Sequence, residues 1–224
     1  MTPALMVRDL IVTARGGRRL LDVPAFDVRP GEAVAIRGPS GAGKSTLLYA
    51  LAGLLPAASG SIRWGDEDLA AMGDRARTAF RRRTLGLVFQ DHLLFEELSA
   101  AGNAALSSAY APKVERAGIG SRAAAALDRL GVPGGRRRVT SLSGGERQRV
   151  AVARALATDP AVILADEPTA ALDRAAADRL ADDLMALAAE GRTLIVVSHD
   201  PALHARAGRM VDVVDGRLAE PQHA

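Results

Sequence analysis

Residues 33–46 read AVAIRGPSGAGKST, and they set the architecture of the chain around them. An apolar run that breaks into glycines and then into a helical segment presents backbone N–H groups and the positive end of a helix to an anion. The pattern G-x-x-x-x-G-K-[ST] between a strand and a helix predicts a phosphate loop, in which Lys44 reaches the β- and γ-phosphates of a nucleotide and the Ser45 hydroxyl binds Mg²⁺. The predicted nucleotide-binding residues of this loop are Gly38, Pro39, Ser40, Gly41, Ala42, Gly43, Lys44, Ser45 and Thr46.

Apolar runs and helical segments alternate along the rest of the chain. The pattern predicts strands at residues 33–37, 85–89, 162–165 and 193–197, helices at 44–54, 121–130, 146–157 and 174–189, and a terminal hairpin at 210–217. Strands that are apolar throughout and separated by helices are typical of a mainly parallel sheet covered on both faces, which is an α/β fold. The region 91–150 is the least strand-like, and we expect a helical subdomain there, inserted in a single domain that spans 1–224.

The bulk composition indicates a globular chain without disulfides. Its 224 residues are 48% apolar and include no cysteine, which excludes a disulfide framework and thiol chemistry. The uncharged stretch 98–112 is shorter than the roughly 20 residues that a membrane-spanning helix needs, and no signal peptide is expected. The net charge of +3 comes without aromatic residues interleaved among basic runs, so we expect no nucleic-acid partner.

Two adjacent carboxylates, Asp166 and Glu167, follow the apolar run at 162–165. They stand at the carboxyl end of a predicted strand, which is the edge where open α/β sheets bind ligands. Asp166 fits the carboxylate on the Mg²⁺ side of phosphate-loop ATPases. Glu167 must face another direction, and a solvated acid that caps the helix near Pro168 is one interpretation of it.

A second sequence with the features of a phosphate site is LSGGERQ at 142–148. Ser143, Gly144 and Gly145 precede a predicted helix, so that a hydroxyl, backbone N–H groups and the helix dipole all favour an anion. The same residues also fit an ordinary helix cap, with Glu146 as the acidic member of a capping box, and both interpretations can hold together. Since the first loop already holds the phosphates, two half-sites in one chain suggest a nucleotide that joins two surfaces.

The two loops together resemble the ATP-binding cassette (ABC) family, whose motifs occur in order along essentially the whole chain. The resemblance implies a P-loop NTPase core with a mainly parallel sheet, an N-terminal antiparallel β part and an inserted helical subdomain. It implies three catalytic residues: Glu167 as the general base for the attacking water, Gln90 as a contact to Mg²⁺ and water, and His199 as a contact to the γ-phosphate. The metal ligands that it implies are Ser45, Gln90 and Asp166.

By the same resemblance, the chain is the ATP-hydrolysing subunit of a transporter. Two copies, or one copy and a paralogous ATPase subunit, would pack head to tail so that Ser143, Gly144 and Gly145 of each cover ATP held by the other. The closing and reopening of this dimer would drive a separate membrane permease, which places the chain in the cytoplasm, peripheral on the inner face of the membrane. The segment 93–98 would be where the permease docks. Residues 164–169 resemble especially the subgroup of lipoprotein release, macrolide export and cell division.

Two other functions remain open at this stage. One is an ATP-dependent switch of the cell-division type, which signals across the membrane without moving a substrate. The other is a soluble ABC ATPase outside transport, although such proteins usually carry a long coiled coil or a second cassette, and this chain has neither.

The chain departs from the family where an aromatic residue usually stacks on adenine. That position falls near Arg15, and the first aromatic residue of the chain is Phe26. A guanidinium plane also stacks on a base, so Arg15 is a candidate cofactor-binding residue. The alternative is relaxed base selectivity, with GTP bound about as well as ATP.

Overall fold

The computed structural model describes residues 1–132 and 137–219, so 133–136 of the expected helical subdomain and 220–224 of the expected single domain lie outside the described residues. The strands are β1 (Leu5–Thr13), β2 (Arg19–Val28), β3 (Ala33–Arg37), β4 (Ser59–Trp64), β5 (Glu67–Asp68), β6 (Leu85–Val88), β7 (Val162–Asp166), β8 (Thr193–Val197), β9 (Arg209–Val214) and β10 (Arg217–Ala219). The helices are α1 (Lys44–Leu51), α2 (Asp74–Thr84), α3 (Ala100–Ala104), α4 (Lys113–Arg129), α5 (Gly144–Leu156), α6 (Arg174–Ala189) and α7 (Pro201–Arg206). Short 3-10 helices lie at Leu106–Tyr110 and Val139–Ser141.

The centre of the fold is a six-stranded sheet in the order β10-β9-β3-β8-β7-β6. Neighbouring strands from β9 to β6 run parallel, and only β10 is antiparallel to its neighbour β9. Every residue of β7 and of β8 is buried, as the apolar strand pattern predicts. The mainly parallel α/β core is therefore confirmed.

Alternate residues of the central strands point into two different hydrophobic cores. Val162 and Leu164 pack into the core that also contains residues of α1, β1 and β2. Ile163 and Ala165 pack into the core that contains residues of α4, α5 and α6. Because both faces of the sheet are covered, polar groups of the central strands are accessible only at the strand ends.

A second, antiparallel sheet in the order β2-β1-β4-β5 forms the N-terminal β part that the family resemblance implies. It is tied to the helix of the phosphate loop through Trp64, which is buried and donates from its indole Nε1 to the Leu51 carbonyl at 3.0 Å. This sheet thereby supports α1 from the side opposite to α5 and α6.

Helices α3, α4 and α5 lie between β6 and β7 in the chain and form the region that the sequence marks as least strand-like. The helix predicted at 121–130 is longer in the structure, because α4 begins at Lys113. Gly118 and Gly120 obscured its first half, since glycine costs a helix about 1 kcal/mol relative to alanine. The buried stripe of Ile119, Ala123 and Leu127 explains why the helix forms nevertheless. Among the described residues, no helix is long and apolar enough to cross a membrane.

Candidate functional site

A cavity of about 710 Å³ opens at the carboxyl edge of the six-stranded sheet. Parallel strands deliver their C-terminal ends to one edge, so the segments after β3, β6, β7 and β8 converge there. The cavity is lined by Ser40, Gly41, Lys44, Ser45, Gln90, Glu167, Thr169, Ala170, Leu172, Arg174, Ala177, Val197, His199 and Asp200. The phosphate loop and the predicted glutamine, glutamate and histidine, which are far apart in the sequence, therefore share one cavity.

The phosphate loop has a backbone shape that requires glycine at its first position. Gly38 has a φ of 149°, and a Cβ atom there would lie 2.0 Å from the Val213 carbonyl oxygen. Gly43, with a φ of 101°, is the N-cap residue of α1. Lys44 Nζ donates to the Gly38 and Pro39 carbonyls at 2.9 Å each. The ammonium is thus held within the curve of the loop, where the α1 N-terminus adds favourable partial charge for an anion.

Asp166 ends β7, and its exposed fraction is 0%. The Ser45 hydroxyl donates to Asp166 Oδ1 at 3.1 Å, and the Tyr49 hydroxyl donates to Oδ2 at 2.8 Å. These two hydrogen bonds explain how a carboxylate is kept in the interior. Ser45 and Gln90 on the cavity wall, with Asp166 behind them, offer oxygen donors of the kind that Mg²⁺ prefers when it is shared with substrate phosphates.

Glu167 adopts a strained backbone conformation next to Asp166. Its φ is 47°, in the left-handed region that a non-glycine residue enters at a cost, and such residues cluster at active sites. Its Oε2 accepts from the His199 backbone N–H at 3.3 Å, and its Oε1 lies 3.5 Å from His199 Nε2. Burial raises the pKa of Glu167 above the ordinary glutamate value, although the His199 backbone N–H opposes this shift. The carboxylate therefore lies next to the histidine at the cavity wall.

The residues that flank His199 serve the framework of the site. Ser198 is fully buried and its hydroxyl accepts from the Asp200 backbone N–H at 3.0 Å. Asp200 caps α7 through the Ala202 N–H at 2.9 Å and pairs with Arg174 at 3.0 Å. The adjacent Ser, His and Asp groups thus have separate partners and do not form a nucleophilic triad, which is defined by geometry rather than by sequence.

Residues 142–148, the second sequence with the features of a phosphate site, contain the helix cap that the sequence predicts. The Ser143 hydroxyl accepts from the Glu146 N–H at 3.2 Å, and the Ser143 N–H donates to Glu146 Oε2 at 2.7 Å. Both bonds of the capping box are present at the N-terminus of α5. Ser143 is exposed, and a Cβ atom at Gly145 would lie 3.0 Å from Leu172 Cδ2. Ser143, Gly144 and Gly145 are not among the described residues that line the cavity, and neither is Arg15 in the exposed turn between β1 and β2.

Tyr49 and Arg174 form hydrogen bonds at the site that the sequence did not predict. Tyr49 contacts Asp166, and its position four residues after Ser45 on one helix face was the available signal. Arg174 lines the cavity and joins α6 to Asp200, which only the tertiary structure reveals.

Comparison with known proteins gives a consistent assignment. A family model described as ABC transporter matches residues 21–170. The lipoprotein-releasing system ATP-binding protein LolD of Chromohalobacter salexigens is 39% identical over 231 residues, which cover 98% of this chain and 97% of LolD. The macrolide export ATP-binding/permease protein MacB 1/2 of Paracoccus denitrificans is 43% identical over 210 residues, which cover 92% of this chain but only 31% of that relative. The dimeric post-hydrolysis structure of the ATP-binding cassette MJ0796 with ADP and Pi matches with a TM-score of 0.88 and 30% identity, covering 96% of this chain and 97% of that one.

Proposed function

Because the chain belongs to the ABC transporter family and is an ATPase of that family, we propose that it binds Mg²⁺·ATP in the cavity at the sheet edge and drives a membrane permease through dimerisation. The predicted family, fold and ATPase class are confirmed by the same comparisons. The observation that carries the proposal is the convergence of Lys44, Gln90, Glu167 and His199 on one cavity, while Ser143 stands outside it.

Hydrolysis in this site is attack of water on the γ-phosphate, which depends on positioning and charge stabilisation more than on covalent chemistry. Glu167 accepts the proton of the water, and its raised pKa improves it as a base near neutral pH. Lys44 and the N-terminus of α1 stabilise the phosphate charge, and His199 faces the same cavity. Mg²⁺, held by Ser45, Gln90 and Asp166, would add electrostatic stabilisation of the phosphates.

The second half of the site comes from another cassette packed head to tail. Ser143 is exposed at the start of α5, where a hydroxyl and a helix N-terminus together favour an anion. Within its own chain the phosphate loop already supplies these functions, so Ser143, Gly144 and Gly145 cover the ATP of the partner. The partner is a second copy or a paralogous cassette, and the dimeric state of MJ0796 with ADP and Pi supports this arrangement.

The permease docks beside the segment that follows Gln90. Leu93 and Phe95 are 55% and 52% exposed, which is unusual for large apolar side chains placed so close together. The likeness to LolD and MacB supports a permease of the lipoprotein-release or macrolide-export kind, and a cytoplasmic location on the inner face of the membrane. An inserted helical subdomain at about 91–150, within one domain over 1–224, is consistent with this docking role.

Glu167→Gln tests the reaction. The amide keeps the size of the side chain but does not accept a proton, so we expect turnover to fall by at least about 100-fold, the lower end for a positioned base. ATP binding should remain, and a dimer with trapped ATP should accumulate on size-exclusion chromatography. Glu115→Gln, an exposed change on α4, is the matched control. Unchanged steady-state ATPase activity in Glu167→Gln would remove this residue from the role of base.

A further inference from the structure

Tyr49 and Ser45 hold the buried carboxylate of Asp166 from one face of α1. Residues four apart on a helix are neighbours, so their hydroxyls reach the same group. Ser45 Oγ lies 3.1 Å from Asp166 Oδ1, and the Tyr49 hydroxyl oxygen lies 2.8 Å from Oδ2. Each carboxylate oxygen therefore has its own hydroxyl donor, and the orientation of the carboxylate plane is fixed.

The Tyr49 ring makes a second contact, with Phe89. The two ring centroids are 5.8 Å apart, a separation typical of aromatic pairs, and the planes are tilted by 48°. Phe89 follows β6 and directly precedes Gln90. One side chain thus touches both the carboxylate of Asp166 and the residue before the glutamine on the cavity wall.

The phenol of Tyr49 donates to Asp166 Oδ2, and the bond is charge-assisted because the acceptor is a carboxylate. Removing the hydroxyl therefore leaves this buried oxygen without its donor, while the Ser45 bond to Oδ1 remains.

We propose that Tyr49 is a positioning residue for the metal: its hydroxyl orients Asp166 toward the Mg²⁺ ion that enters with the nucleotide. The inference rests on the Mg²⁺·ATP site proposed above. Hydrogen-bond partners of metal-ligating groups typically contribute about 10–100-fold to metal affinity or activity. A side chain that only fills space between α1 and β6 would contribute through its ring and not through its hydroxyl.

Tyr49→Phe isolates the hydroxyl, because the ring and its contact with Phe89 remain. Tyr110→Phe is the matched control, since Tyr110 is the other tyrosine of the chain and is 76% exposed. ADP affinity is measured by calorimetry for each protein, first with EDTA and then over a Mg²⁺ titration. For Tyr49→Phe we expect metal-free ADP affinity within about twofold of the wild type and a half-saturating Mg²⁺ concentration raised about tenfold or more, the lower end for such partners.

The outcomes separate the two proposals. Wild-type ADP binding that is indifferent to Mg²⁺ would refute the metal site itself. A wild type that responds to Mg²⁺, with a Tyr49→Phe variant that responds identically, would overturn only the role of Tyr49. Equal losses with and without Mg²⁺ in Tyr49→Phe would assign the residue to packing and would also overturn it.

A second measurement keeps the Tyr49 hydroxyl in place. Fluorotyrosine incorporation gives a ¹⁹F signal for each of the two tyrosines, and Tyr110→Phe assigns them. Adding Mg²⁺ to the ADP complex should shift the Tyr49 signal and leave the Tyr110 signal in place. A Tyr49 signal that does not respond to Mg²⁺ would contradict the proposed contact with the metal carboxylate.

Discussion

Replacing Ser143 by aspartate or by asparagine should separate the capping role of this residue from its proposed contact with ATP on a partner cassette. The Ser143 hydroxyl caps α5 through the Glu146 N–H at 3.2 Å. Removing such a cap with alanine costs about 1 kcal/mol, but aspartate and asparagine cap about as well as serine. The free energy of unfolding should therefore change little in either variant, and only Ser143→Asp adds a negative charge.

The size of the effect follows from the position of the charge. A carboxylate about 4 Å from a phosphate charge is repelled by about 4 kcal/mol at an effective dielectric constant of about 20. Since about 1.4 kcal/mol is a factor of ten, one contact weakens association by nearly 10³-fold. A symmetric dimer has two such contacts, so the aspartate variant should show no ATP-dependent dimer at micromolar protein.

The assay is size-exclusion chromatography with light scattering in a Glu167→Gln background, which preserves bound ATP. Monomer ATP affinity and the melting temperature are measured on the same preparations. We expect Ser143→Asn to dimerise with ATP and Ser143→Asp to remain monomeric, with similar ATP affinity and similar melting. An aspartate variant that dimerises as well as the asparagine variant would refute the divided site, and so would loss of ATP binding by the monomer.

Three further predictions concern the pKa of Glu167, the base contact of Arg15 and the docking role of Phe95. Burial raises the pKa of Glu167, and only its deprotonated form accepts a proton. ATPase activity should therefore fall on acidification through a pKa above the ordinary glutamate value, and an acid limb of the kcat profile at or below that value would contradict this. If Arg15 stacks on adenine, the Arg15→Ala variant should lose the preference for ATP over GTP. The control Arg18→Ala, in the same turn, should keep that preference. Equal affinity of the wild type for ATP and GTP would refute stacking. Phe95→Ser should abolish co-purification with a membrane partner. The melting temperature should not fall, because the Phe95 side chain is 52% exposed. Retained co-purification would show that Phe95 is not part of the docking surface.

The parts of the molecule that the sequence predicts well are those set by local chemistry. The strand 33–37 and the helix 174–189 have the predicted bounds, because apolar runs and capping residues mark their ends. The capping box of Ser143 and Glu146 is likewise local and is present as expected. By contrast, Tyr49 acquires its contact with Asp166 only when α1 packs against β7, and Arg174 reaches the cavity only through the fold. Contacts of this kind depend on tertiary packing, which no periodicity in one chain encodes.

Helix α5, which begins after the Ser143 cap, also forms hydrogen bonds with the segment that follows Gln90. Arg154, in the last turn of α5, donates to the backbone carbonyls of His92 and Leu93. These two residues have φ values of 60° and 47°, a left-handed conformation that costs about 1–3 kcal/mol each and persists only where the surroundings enforce it. Helix α5 carries the Ser143 cap at its N-terminus and Arg154 in its last turn, so it connects the cap to the backbone at 92–93. The proposed permease contact at Leu93 and the proposed nucleotide contact at Ser143 are therefore joined through α5.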